Sequence, residues 1–204
     1  MKAIVKTAVA VIIAVCFAVS GGLCIAGGQP APGKTLILYY SKTGNTRAAC
    51  EALQKETGAD IREIKDLNSR QGFGAATGML KIFMGMQTDI EPASVDFAPY
   101  DRLIISTPIW AAQFGLAMRT FIERNSFAGK DVIIFITSDS FIEEKYQQKH
   151  KDLVAASKGR VAGYFQVQAA DLVDGKKVPR TKEKIVEDAL KFLPEIKACT
   201  GAKK

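Results

Sequence analysis

Six consecutive residues, Ser41-Lys42-Thr43-Gly44-Asn45-Thr46, separate an apolar run, Leu36 to Tyr40, from a stretch with helical spacing. The first N–H groups of a helix have no intrahelical partner and the helix macrodipole adds positive potential there, so this segment reads as an anion site. Gly44 permits a close turn, and Ser41, Thr43, Asn45 and Thr46 add short side-chain donors. Such a loop can hold a dianionic phosphomonoester without an arginine. Its plain alternative is a capped helix start with no ligand.

Two further loops follow apolar runs of strand length. After Leu103 to Ser106 comes Thr107-Pro108-Ile109-Trp110-Ala111-Ala112, which carries the only tryptophan of the chain. That ring either stacks on a flat aromatic ligand or packs against Phe114. After Val132 to Ile136 comes Thr137-Ser138-Asp139-Ser140. A second phosphate-loop pattern, Gly28 to Thr35, matches G-x-x-x-x-G-K-T by letter. Its context contradicts it, because it opens a strand rather than a helix and Pro30 and Pro32 remove amide donors.

Other reactive residues read as structural. His150 is the only histidine, and it shares a helical face with Tyr146, Leu153 and Val154, the pattern of a packed core residue. Cys16 and Cys24 fall in the leader, Cys50 on an apolar helical stripe and Cys199 in a polar tail, which excludes a disulfide scaffold. No cluster has metal-ligand spacing. The first strand ends in Tyr39-Tyr40-Ser41 rather than an acidic pair, against a magnesium-dependent phospho-receiver.

The elements that must position these loops alternate. Leu36–Tyr40, Asp60–Ile64, Leu103–Ser106, Val132–Ile136 and Val161–Val167 read as strands, mostly without the polar alternation of a half-exposed sheet. Helical spacing recurs at Thr46, Ala49, Cys50 and Leu53, at Ala117, Met118, Phe121 and Ile122, and in one last helix at Ile185, Ala189, Leu190, Leu193 and Ile196. The order predicts an α/β fold with a five-stranded, doubly wound parallel sheet, whose ligands bind beyond the carboxyl ends of the strands at the switch point. Asn68 to Pro92 is too long for a simple connection and predicts a helix with Phe73, Ala76, Leu80, Phe83 and Met84 on one face, either the crossover itself or a flap over a ligand.

The chain has 204 residues, 48% hydrophobic and 24% charged, which excludes a disordered tail, a fibre and a polytopic membrane protein. The net charge of +7 comes from scattered basic residues without interleaved aromatics, the pattern of a solvated surface and not of a nucleic-acid binder. Residues 1–28 combine Lys2 and Lys6, an apolar run from Ala8 to Val19 and small residues, the plan of a secretory signal. Counted from Thr7 to Ala26, the same segment reaches the length of an uncleaved membrane anchor. Leu23 stands where a lipoprotein signal needs a small residue before Cys24. Residues 29–33 form a Pro/Gly linker, 34–198 the folded domain and 199–204 a polar tail.

At Ser41–Thr46 the chain resembles the flavodoxin-like family, whose loop after the first strand reads Ser/Thr-x-Thr-Gly-Asn-Thr and binds the phosphate of FMN. The tract Asp101 to Asn125, with Thr107-Pro108-Ile109-Trp110, resembles the family's second flavin loop and the helix after it, and Gly72 to Pro92 is similar as well. The resemblance implies strand order 2-1-3-4-5 and FMN as cofactor. By it, Ser41, Lys42, Thr43, Gly44, Asn45 and Thr46 form the phosphate site and Trp110 stacks on the isoalloxazine. Pro108, Ile109, Ala111, Ala112, Thr137, Ser138, Asp139 and Ser140 border the ring. It implies one- or two-electron transfer to a redox protein or a quinone, or use of a nicotinamide partner, with the flavin supplying the chemistry, and the leader places that activity outside the cytoplasm. Ala112 stands where relatives often carry glycine, and Asp139 is expected to lower the potential of a nearby flavin. A flavin-free envelope interaction module on the same fold is the alternative.

Overall fold

The structure is a computed structural model that describes residues 33–68, 84 and 86–199. The leader and most of Asn68–Pro92, with its expected helix, lie outside the described residues. In chain order the elements are β1 (Thr35–Tyr39), α1 (Asn45–Thr57), β2 (Asp60–Glu63), β3 (Lys65–Asp66), β4 (Ile90–Glu91), β5 (Arg102–Trp110), β6 (Gln113–Phe114) and α2 (Leu116–Arg124). Then come β7 (Asp131–Ser138), α3 (Glu144–Ala156), β8 (Arg160–Gln168), β9 (Ala170–Val173), β10 (Lys176–Pro179), α4 (Lys182–Lys191) and α5 (Leu193–Ala198).

Apolar strands without polar alternation need a cover on both faces, and that requirement fixes the layers. The main sheet runs β2-β1-β5-β7-β8, every pair parallel, with Leu38 beside Ile105 and Ile105 beside Ile134. This is the expected order 2-1-3-4-5. Alternate residues of each strand enter opposite cores. Leu36, Leu38, Leu103, Ile105, Ile134 and Ile136 pack with Phe121 of α2 and Val154 of α3. Ile37, Tyr39, Ile104, Ile133 and Phe135 pack with Leu53 of α1, Ile185 of α4 and Ile196 of α5. Covering helices therefore change sides between β1 and β5, which creates the switch point.

Local chemistry sets the boundaries. Left-handed glycines bracket α1, Gly44 at φ 90° and Gly58 at φ 66°, and the Gly58 N–H donates to the Gln54 carbonyl. The Thr181 hydroxyl accepts from Lys184 N–H to start α4. Where one last helix is expected, two occur: the chain breaks at Phe192, and Pro194, which cannot continue a helix, sits in the first turn of α5. Cys199 is half-buried against the second core rather than placed in a free tail. β8 is only partly covered, as suits the outer strand of the sheet. Lys34 and Thr35 of the rejected phosphate-loop pattern lead into β1, and Lys34 pairs with Asp60 at 2.8 Å.

Short antiparallel pairings accompany the parallel sheet, among them β5 with β6. β3 pairs antiparallel with β4, and Thr88 just before β4 donates its N–H to the buried Thr120 hydroxyl of α2 at 3.2 Å. β9 pairs antiparallel with β10 through Asp174-Gly175, both at positive φ. That dipeptide is a standard two-residue hairpin turn and was legible in the sequence. Among the described residues no helix is long and apolar enough to cross a membrane.

Ile105 sits at the centre of the sheet with no exposure. Ile105→Ala is expected to lower unfolding stability by about 3 kcal/mol through lost burial and a residual cavity. Urea unfolding checks this; an unchanged midpoint would mean that the sheet centre is not packed as described.

Candidate functional site

The three sequence-predicted loops leave the carboxyl ends of β1, β5 and β7, which the parallel pairing places side by side. In the first loop the Gly44 N–H donates to the Ser41 Oγ at 3.2 Å, closing the turn ahead of α1. Thr43 is exposed, Asn45 half-buried and Thr46 buried. The Thr46 hydroxyl faces inward and shares a 2.7 Å hydrogen bond with the buried Thr137 hydroxyl, so these two side chains tie the first loop to the third. Ser41, Lys42, Thr43 and Asn45 stay on the accessible side.

A cation that sequence reasoning missed reaches the same loop. A Cβ at Gly44 would stand 3.2 Å from Lys182 Nζ, so the ammonium from the first turn of α4 lies directly over the glycine. Any side chain here would also be strained, since φ is 90°. Lys182 makes no ion pair among the described residues. Its position depends on a helix more than a hundred residues away in sequence, and no local signal announces it.

Ile109, Trp110, Ala111 and Ala112 of the second loop, Ser138 at the end of β7 and Asp139 to Glu143 after it line a cleft of about 380 Å³ with Tyr146 and Lys177. That volume lies in the range of small-molecule sites. Pro108 and Thr137 stand one step behind it in the strands, paired as neighbours. Trp110 is half-buried, meets Tyr40 edge-on at 5.9 Å, and has the Lys42 ammonium 5.6 Å from its ring centre. It therefore links the first loop to the second and does not stack on Phe114, which lies against His150 instead. The first loop borders its own hollow of about 250 Å³ with Tyr40 and Glu63 to Asp66.

Two hydrogen bonds from the side-chain amide of Gln166 of β8 hold the third loop: its Nε2 donates to Ser138 Oγ and to the Ser140 carbonyl, both at 2.9 Å. Its Oε1 accepts from Ile142 N–H. Asp139 and Ser140 are exposed, and Phe141 projects from the rim with 76% exposure. Lys177 comes from the β9–β10 hairpin, so the cleft lining holds the carboxylates of Asp139 and Glu143, the latter paired with Lys145 at 2.8 Å, and one ammonium. Gly115 follows the second loop, where a Cβ would lie 2.8 Å from the Tyr40 ring, so only glycine fits that close approach.

Residues Ala111 and Ala112 form the two-residue turn between β5 and β6, with φ 47° and 60°. A left-handed alanine costs roughly 1–2 kcal/mol, so the turn stores strain that its surroundings must hold. His150 lies behind it, 2% exposed, with its ring stacked on Phe114 at 4.3 Å. His150 Nε2 is 3.0 Å from the Ala112 carbonyl and Nδ1 is 2.9 Å from the Tyr164 hydroxyl. A carbonyl only accepts, so Nε2 carries the proton and Nδ1 accepts from Tyr164. Burial lowers the His150 pKa to about 4, opposed by the Ala112 hydrogen bond, so the ring is neutral at pH 7. Burial also pushes the Cys50 thiol up to about 12, leaving it inert. Among the described residues no group of side chains could hold a metal ion.

No family model matches the sequence, and no curated protein matches it. Solved structures do. A flavoprotein of Lactobacillus acidophilus NCFM, crystallised in complex with FMN, aligns with a TM-score of 0.52 at 20% identity, covering 66% of this chain and 93% of that one. Putative flavoproteins of Bacteroides uniformis and Bacteroides eggerthii align with TM-scores of 0.56 at 23% and 22% identity. They cover 76% and 79% of this chain and 96% and 98% of their own. The chain has the flavodoxin-like fold.

A histidine whose pKa is depressed by folding contributes stability that is complete above its unfolded value near 6.5 and lost as pH falls toward 4. Between these limits the loss reaches about 3 kcal/mol. His150→Phe is therefore expected to show a shallower fall in urea stability between pH 7 and pH 4 than the parent protein. Equal falls in both would show that His150 does not titrate as a buried neutral ring.

Proposed function

We propose that the protein is an FMN-binding electron-transfer flavoprotein that acts outside the cytoplasm on a redox protein or a quinone. The observation that carries this reading is an anion loop after β1 beside an aromatic-walled cleft between the loops after β5 and β7, all at the carboxyl edge of a flavodoxin-like sheet. The residues fit the cofactor at both ends. Gly44 under the Lys182 ammonium is a cradle that a Cβ would fill, suited to a phosphate. The cleft offers Trp110, Tyr146 and exposed Phe141 to a flat ring.

When bound, FMN supplies the electron transfer. The chain's own part is to bind, orient and tune. Ser41, Thr43, Asn45 and the free N–H groups of the first turn of α1 would hold the phosphate, with Lys182 adding charge. Backbone groups of Ile109 to Ala112 and Ser138 to Ser140 would border the ring, and Asp139 would disfavour added negative charge there. The Lys2–Val19 pattern of the leader supports export or tethering.

Titrating the purified protein with FMN and separately with riboflavin tests the reading. FMN is expected to bind more tightly and to quench Trp110 fluorescence. Thr43→Asp, which places a carboxylate in the anion loop, is expected to weaken FMN by at least about tenfold and to leave riboflavin unchanged. Lys182→Ala is expected to weaken FMN by about fivefold and to reduce the salt dependence of binding. Failure to bind either flavin would overturn the reading in favour of a flavin-free interaction module.

A further inference from the structure

We propose that His150 is a positioning residue of the cofactor site, holding the Ala111–Ala112 turn in one conformation so that its backbone presents a preset arrangement to the ring edge of FMN. The proposal rests on the FMN reading above.

Three observations combine. The turn is strained at two consecutive alanines, and β6, the strand that closes it, has only two residues. Its ladder offers little to resist relaxation of the turn. The Ala112 carbonyl, however, accepts from His150 Nε2, which anchors the Ala112–Gln113 peptide plane to α3. His150 itself cannot move, being stacked on Phe114 and hydrogen-bonded at Nδ1 to Tyr164 of β8. The strained turn lines the cleft, and so does Tyr146, one helical turn before His150. The anchor therefore runs from the outer strand β8 through a helix to the wall of the site.

A core histidine with no such role would affect folding alone. In the holoprotein, His150→Phe keeps an aromatic ring on Phe114 but has no donor for Ala112. It is expected to weaken FMN and riboflavin alike by about fivefold, the worth of one hydrogen bond, because the ring edge is common to both. It is also expected to shift the midpoint potential of bound FMN. His150→Gln, whose amide can donate to the carbonyl, is expected to recover part of both effects. A folded His150→Phe protein with both affinities within about twofold of the parent and an unchanged potential would overturn the proposal. So would a glutamine variant no better than phenylalanine. Nitrogen-15 NMR of the imidazole in the unsubstituted protein gives a reading that needs no variant. Protonation at Nε2 is required, and protonation at Nδ1 would overturn the anchor. If the unsubstituted protein binds neither flavin, the FMN reading falls and with it the ring-edge role, while the imidazole spectrum still decides whether His150 fixes the turn.

Discussion

Burial of β1, β5 and β7 on both faces is the constraint from which the site follows. A strand whose side chains mostly enter one of two apolar cores leaves little accessible polar surface along its length, so accessible reactive groups gather where it ends. Parallel pairing brings those ends to one edge. The change of helix side between β1 and β5 then opens a gap at that edge instead of a helix contact. The buried Thr46–Thr137 hydrogen bond fastens the first loop to the third across this gap, with a hydroxyl pair where an apolar contact would have fixed distance but not direction.

The sheet was legible because its signal is local. Apolar runs mark β1, β5, β7 and β8, the alternating Asp60–Ile64 is a weaker strand signal, and the Ser41–Thr46 loop announces itself by standing between a strand and a helix. The helical face of His150 marks it as a core residue, yet nothing in the sequence shows that its Nε2 meets Ala112, thirty-eight residues away. The Ala111–Ala112 turn was illegible for a different reason. Alanine disfavours positive φ, so local propensity argues against the conformation that tertiary contacts impose. The β9–β10 hairpin, by contrast, carried its signal in Asp174-Gly175, and only through it does Lys177 reach the cleft.

Charge is distributed unevenly along the site. Lys42 lies in the first loop and Lys182 over it, whereas Asp139 and Glu143 line the cleft together with Lys177, Glu143 being paired with Lys145 at 2.8 Å. A ligand with an anionic group at one end and a neutral flat ring at the other is thus oriented by electrostatics before any close contact forms. The reverse orientation would bring an anion toward the exposed Asp139 carboxylate and away from the Lys182 ammonium.

The two ends of the site differ in how they are held. The anion loop relies on glycine geometry and exposed donors, which adapt at small cost. The ring end is fixed from behind: Gln166 ties down the Ser138–Ser140 loop, and His150 ties down the Ala111–Ala112 turn. Both anchors draw on β8, directly through Gln166 and through Tyr164 for His150. A weakly covered edge strand thereby supports the two backbone segments that border the cleft. A buried, neutral imidazole adds to the short β5–β6 pairing in holding the alanine turn, and burial is also what keeps that imidazole neutral. Geometry at the ring end and the protonation state of the core are therefore one constraint rather than two.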